Sequence, residues 1–139
     1  MSSGQRKVLV VDDDPFIRSL LAAWLQEVGY DVLTAGDGLQ ALAQLQSERP
    51  DVLLLDLMMP KLDGYAVAEW VRRQEAGRHK GFDGTNGHLP IIVLSADARA
   101  PQKLSGLPID AFVSKPFDLD DVLETVVKHA PLEGLMVVG

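Results

Sequence analysis

The sequence predicts a doubly wound α/β fold, with one parallel sheet of five strands covered by helices on both faces. Short aliphatic runs recur along the chain, amphipathic stretches at helical spacing lie between them, and capping residues mark where one gives way to the other. Alternating strands and helices form βαβ units, whose right-handed crossovers make the strands parallel.

Taken in chain order, Val8–Val11 is continuous and aliphatic, as a strand buried on both faces should be. A helix follows on Ile17, Leu20, Leu21, Trp24 and Val28, with Pro15 at its first position and Gly29 at its C-terminal cap. Tyr30–Ala35 is a weaker strand, and Asp37 can cap a second helix carrying Leu39, Leu42 and Leu45. Val52–Leu55 repeats the buried-strand pattern, and Asp63 can cap a third helix with Val67, Trp70 and Val71 inward. Residues 75–89 contain Gly77, Gly81, Gly84 and Gly87 and read as a flexible loop. Ile91–Leu94 is the next buried strand. Residues 96–110 must then cross back over the sheet, but Pro101, Gly106 and Pro108 leave room for a helical turn or two. Ala111–Val113 is a weak last strand. The last helix follows Asp118, with Asp120 and Asp121 favouring its N-terminal dipole and Leu119, Val122, Leu123, Val126 and Val127 on its buried face.

A chain of 139 residues fits one domain, spanning 1–139 with a short tail at 131–139. That size buries roughly 68–70% of the surface of the unfolded chain. Hydrophobic residues make up 47% and charged residues 24%, the balance of an ordinary globular protein. The net charge of −7 argues against direct nucleic-acid binding and against an anionic membrane. With no cysteine, disulfides, thiolate zinc sites and cysteine nucleophiles are excluded. The apolar runs are too short to span a membrane, and Val8–Val11 runs into Asp12-Asp13-Asp14 where a signal peptide would continue apolar. The expected location is the cytoplasm.

What ends each strand points to function. Val8–Val11 runs into Asp12 and Asp13, Val52–Leu55 into Asp56, Ile91–Leu94 into Ser95, and the last strand is followed after Ser114 by Lys115. Open α/β sheets bind ligands beyond the carboxyl ends of their strands, near the switch in strand order. If the first and third strands adjoin there, Asp12, Asp13 and Asp56 converge, and carboxylates that close must protonate or recruit a cation. An oxygen-only, water-accessible donor set suits Mg²⁺. A carboxylate beside Mg²⁺ can accept a phosphoryl group, with the Lys115 ammonium and the Ser95 hydroxyl taking further phosphoryl oxygens.

The motifs VLVVDDDP, LLLDLMMPKLDG, IIVLSAD and FVSKPFD together resemble the receiver domain of two-component response regulators, in particular its chemotaxis-regulator-like members. The resemblance covers roughly Lys7 to His129. It implies a flavodoxin-like three-layer sandwich with strand order 2-1-3-4-5. It implies that Asp56 accepts phosphate from a sensor histidine kinase or a histidine phosphotransfer protein. Asp13 and Asp56 would be direct Mg²⁺ ligands together with the Met58 carbonyl, and Asp12 would act through water. Ser95 and Lys115 would contact the phosphoryl group, Ser95 and Phe112 would rearrange on phosphorylation, and the bond before Pro116 would be cis. Two features depart from the usual pattern: a longer 75–89 loop, at the end of the sheet opposite the site, and a short, proline-broken 96–110 crossover.

Plainer roles suit several residues. Asp14 fits a helix cap better than a ligand. The side chains of Met58 and Met59 are expected to pack, and Phe112 alone would be a core aromatic. His79 and His88 lack metal-ligand spacing and read as exposed loop residues, His129 suits the last helix's C-terminal dipole, and FDGTNG has turn chemistry.

Two rival functions compete with the receiver reading. Asp12-x-Asp14 after a strand, with a later Ser and Lys, resembles haloacid dehalogenase-like phosphatases, but leaves Asp56 and MPKLDG without a role. A phosphate-independent, receiver-like interaction module would not need all five site residues. The receiver reading expects phosphotransfer to itself and autodephosphorylation, not enzymatic turnover. It leaves open whether the chain signals alone to a downstream protein or belongs to a longer regulator with an effector domain. Few apolar anchors, Leu104 and Leu107, precede Ile109, so residues 98–108 are expected to be mobile until phosphorylation.

Overall fold

Strand and helix alternate throughout the computed structural model, which describes residues 6–59, 61–77, 88–97, 99–104 and 106–132. The elements are β1 (Lys7–Val11), α1 (Pro15–Val28), β2 (Asp31–Ala35), α2 (Gly38–Glu48), β3 (Val52–Asp56), α3 (Gly64–Ala76), β4 (Ile91–Ser95), α4 (Ala100–Lys103), β5 (Ala111–Ser114) and α5 (Leu119–His129). The sheet has the order β2-β1-β3-β4-β5. Every pairing is parallel, with Leu9 opposite both Leu33 and Leu53, Leu53 opposite Ile91, and Ile92 opposite Ala111. Strand order reverses between β1 and β3, so a switch point lies where their carboxyl ends adjoin.

Alternation along the central strands divides the core in two. Leu9, Val11, Leu53, Leu55, Ile91 and Val93 face Ala41, Leu45, Val67, Val71, Ala100 and Leu104. Val8, Val10, Val52, Leu54, Ile92 and Leu94 face Leu21 and Leu25 of α1 and Val122 and Val126 of α5. β3 and β4 are buried along their whole length, whereas β2 and β5 are edge strands and only partly covered. Partial cover is why the two edges carry the weaker apolar signal.

The caps form as the sequence predicts. Asp14 Oδ1 accepts from Phe16 N at 2.9 Å, Asp37 Oδ1 from Gln40 N at 2.9 Å and Asp63 Oδ1 from Ala66 N at 3.0 Å. Gly29 ends α1 at φ 124°, a conformation open to glycine. Asp118 stands at the start of α5 without a side-chain capping bond.

Several expectations need correction. Leu20 and Leu39 are 39% and 57% exposed, while Leu25 and Ala41 are fully buried. Leu25 lies one turn beyond Leu21 and completes the α1 stripe. α3 continues to Ala76 and is closed by Gly77, so the first residues of the expected 75–89 loop are helical. At its far end Leu89 is buried. Residues 78–87 of that loop, with His79 and FDGTNG, lie outside the described residues, as does 133–139 of the expected tail. The crossover holds a single helical turn, α4, whose Ala100 and Leu104 are buried.

Candidate functional site

Asp12 and Asp13 follow β1, Asp56 ends β3, Ser95 ends β4 and Lys115 follows β5. The parallel register brings these carboxyl ends to one edge of the sheet. Asp12, Asp56 and Ser95 are buried polar residues in an otherwise apolar core, and Asp13 is exposed. One carboxylate oxygen from each of Asp12, Asp13 and Asp56 lies within 4.8 Å of the others.

Lys115 is the counter-charge. Its Nζ donates to Asp12 Oδ2 at 2.8 Å and stands 3.7 Å from Asp56 Oδ2. The Lys115 backbone N–H donates to the Ser95 carbonyl at 2.9 Å, so β4 helps to set where its side chain begins. The Lys115–Pro116 bond is cis.

Burial pushes the Asp56 carboxyl up to about 6; Lys115 pulls it down and the charges of Asp12 and Asp13 push it further up. Burial works against the Lys115 ammonium. The hydrogen bond to Asp12 and the charges of Asp56, Asp12 and Asp13 prevail and hold its pKa above the ordinary lysine value.

Local backbone bonds fix the carboxylates. Asp12 Oδ1 accepts from Asp14 N at 2.9 Å, and Asp56 Oδ1 from Met58 N at 3.3 Å. Gly64 lies against the end of β3, where a Cβ would fall 2.3 Å from the Asp56 carbonyl oxygen. The Met58 side chain is 65% exposed, so it is not the packing residue the sequence suggested, whereas Met59 packs against the core. A cleft of about 380 Å³ lined by Asp13, Met58, Met59, Asp63 and Tyr65 opens beside the carboxylates, giving the solvent access that a hydrated cation needs.

The donor set fits Mg²⁺: hard carboxylate oxygens, close together and open to water on the Asp13 side. Asp14, by contrast, is engaged in capping α1 and is not one of the three converging carboxylates. The phosphatase reading therefore loses its second aspartate.

Phe112 stands opposite Val93 on β5 and packs against the core on the α4 side of the sheet. His88, expected as an exposed loop residue, is half exposed but bonded, with Nε2 2.7 Å from Asp110 Oδ2. Arg18, not singled out from the sequence, donates from Nη1 to the Asp12 carbonyl at 2.7 Å. Asp97, within IIVLSAD but given no role by the sequence, donates its N–H to Ser95 Oγ at 3.1 Å.

A parallel, doubly wound sheet carrying three carboxylates, a hydroxyl and an ammonium beside its switch point has the architecture of a cation-assisted anion site. The sequence profile described as response regulator receiver domain matches residues 8–127, and the chain belongs to that family, the receivers of two-component signalling. A probable transcriptional regulator of Cyanophora paradoxa is 40% identical over 119 residues, covering 84% of this chain and 45% of the relative. The alkaline phosphatase synthesis transcriptional regulatory protein of Bacillus subtilis is 34% identical, over 96% of this chain and 58% of its own length. The chain thus spans about half the length of the curated relatives it matches. Among solved structures, a Vibrio cholerae chemotaxis protein superposes with a TM-score of 0.77 at 31% identity, covering 90% of this chain and 98% of that one. A Thermotoga maritima response regulator, solved in complex with Mg²⁺ and BeF, superposes with a TM-score of 0.75 at 35% identity, covering 89% and 98%.

Proposed function

We propose that Asp56 is the phosphoryl acceptor, with the whole of 1–139 acting as one receiver whose core is 7–129. The carrying observation is that Asp56 ends the central β3 within reach of both Lys115 and the paired acids. The donor is a sensor histidine kinase or a histidine phosphotransfer protein. An Asp56 carboxylate oxygen attacks phosphorus, the bond from phosphorus to the donor histidine nitrogen breaks, and that nitrogen keeps the electron pair. With its carboxyl held at about 6, Asp56 is mostly ionised at neutral pH and able to attack.

Asp13, Asp56 and the Met58 carbonyl would hold Mg²⁺, with Asp12 acting through water. Bound Mg²⁺ supplies neutralisation of charge on the phosphoryl oxygens. Lys115 turns its ammonium from Asp12 toward the new phosphoryl group, and the Ser95 hydroxyl donates to another of its oxygens. Phe112 fills the space that Ser95 vacates, which carries the change to the 96–110 crossover. Water then hydrolyses the acyl phosphate without a separate enzyme.

The charge argument against nucleic acid applies to these residues alone. Relatives about twice as long are transcriptional regulators, and one from Synechocystis is described as DNA-binding. Their descriptions support DNA as an output of a longer regulator containing this chain, through parts other than the acidic receiver. The proposed location is the cytoplasm. Among the described residues no helix is long and apolar enough to cross a membrane.

Incubation with acetyl phosphate and Mg²⁺ should add one phosphoryl group, seen by intact mass. Asp56→Asn should add none, and Asp13→Ala should lose the Mg²⁺-dependent labelling while keeping its circular dichroism. Equal labelling of the Asn variant would remove Asp56 from the mechanism.

A further inference from the structure

α4 is a single turn whose N-cap residue, Arg99, offers no capping side chain. Asp97 does that work from two residues upstream. Its Oδ1 accepts from Arg99 N at 2.9 Å, and its carbonyl accepts from Ala100 N at 3.0 Å. Its Oδ2 accepts from Lys103 Nζ, at the far end of the turn, at 2.7 Å. The same residue's N–H donates to the buried Ser95 Oγ at 3.1 Å. One aspartate therefore ties the hydroxyl of the site to both ends of α4. Lys103 also holds the Asp97 carboxyl below the usual carboxylate range, followed in effect by the Arg99 N–H.

From this geometry we infer that Asp97 is a positioning residue, and that its pair with Lys103 latches Ser95 and α4 in the resting arrangement. The inference rests on the reading of Ser95 as the hydroxyl that meets the phosphoryl group. When Ser95 Oγ turns toward that group, the Asp97 N–H loses its acceptor, and the loop that presents Asp97 must shift. A contact made in the resting arrangement and lost in the active one biases the equilibrium toward rest. Weakening the latch should therefore favour activation even though it removes an attractive pair.

Charge makes the inference testable. Asp97→Asn removes a negative charge and Lys103→Gln a positive one. An effect of net charge on an anion near Ser95 would shift affinity in opposite directions in the two variants. Release of a latch shifts both the same way, and the double variant should gain no more than either single one.

The experiment is a calorimetric titration of the full chain with beryllofluoride in the presence of Mg²⁺. Both single variants should bind about two- to fivefold more tightly than the unmodified chain, the range expected for a partly exposed pair. Lys103→Arg, which preserves the pair, should bind as the unmodified chain does. Unchanged or oppositely shifted affinities, with normal binding by the unmodified chain, would overturn the latch and leave the receiver site standing. Failure of the unmodified chain to bind would overturn both.

Discussion

Asp56 carries its charge in surroundings that resist it. Burial is the main cause of its rise to about 6, and Asp12 and Asp13 add to it. An unfolded aspartate titrates near ~3.9, so ionisation favours the unfolded chain. The stability this group contributes is complete below pH ~4 and lost as pH rises through about 6. At neutral pH the ionised group costs the fold about 2–3 kcal/mol. Asp56→Asn keeps the shape and drops the charge. In chelator it should raise unfolding stability at pH 7.5 by about 2 kcal/mol, a gap that closes toward pH 4. Urea titrations across that range test this, and a gap independent of pH would contradict it. Added Mg²⁺ should narrow the gap, because it stabilises the folded chain with the intact carboxylate more than the variant. Asp12, Asp13, Asp56, Ser95 and Lys115 were legible in the sequence because each stops, or closely follows, an aliphatic strand at its carboxyl end. Arg18 and Asp97 were not. Arg18 acts through a backbone carbonyl, and much of the Asp97 bonding is through its own backbone, so neither leaves a mark in residue type or spacing.

Among the elements, the starts of the first three helices were read most accurately. Asp14, Asp37 and Asp63 all cap as their positions suggested. Which helix face turns inward was less legible at Leu20 and Leu39, because a wide apolar surface offers more than one stripe and the neighbouring elements select among them. The contact of α3 with β3 was invisible, since Gly64 reads only as a residue after a cap. Gly64→Ala would set its Cβ against backbone atoms of Asp56 and Leu57 that cannot rotate away. It should cost about 1–3 kcal/mol of stability and slow acetyl phosphate labelling by displacing Asp56. Normal labelling would show that the strand end yields.

The opposite end of the sheet holds a second polar assembly with no signature in sequence. Arg72 donates to Glu75, to Asp110 Oδ1, and to the carbonyls of Leu89 and Pro108, joining α3 to the entries of β4 and β5. Asp110 also accepts from Ile91 N and contacts His88. Burial raises the Asp110 carboxyl, but these partners outweigh it and hold it below the usual range. Its contribution is therefore present above pH ~4 and lost as pH falls through the depressed folded value. Asp110→Asn should destabilise the chain by about 2–3 kcal/mol at pH 7, with the difference shrinking below pH ~4 in urea titrations. A pH-independent difference would assign the loss to packing.

Over the whole molecule the two faces of the sheet are covered unevenly. α1 and α5 lie along one face, with Leu21, Leu25, Val122 and Val126 buried against the strands. The other is covered by α2 and α3, with Ala41, Leu45, Val67 and Val71 buried, and by α4, four residues long. Strand order and central strands were legible at this scale, the order through the resemblance, because buried parallel strands read as continuous aliphatic runs. The crossover was legible as a weakness: Pro101 and Pro108 limited helix, and one turn is what forms. That turn is anchored by Ala100 and Leu104, with Leu107 half-buried behind it and Phe112 packed into the same cluster. Few buried contacts make local opening inexpensive. A segment so held can be biased by a phosphoryl group, provided Ser95 and Phe112 contact it differently in the two states. Hydrogen exchange should accordingly be fast across residues 99–104 and 106–108 in the free protein, and markedly slower with Mg²⁺ and beryllofluoride. The amides of β3 and β4, buried on both faces, should stay slow in both conditions and serve as the internal reference. Slow exchange across those same residues in both states would mean that the single turn is rigid despite its few anchors. The output change would then have to leave the site by another element.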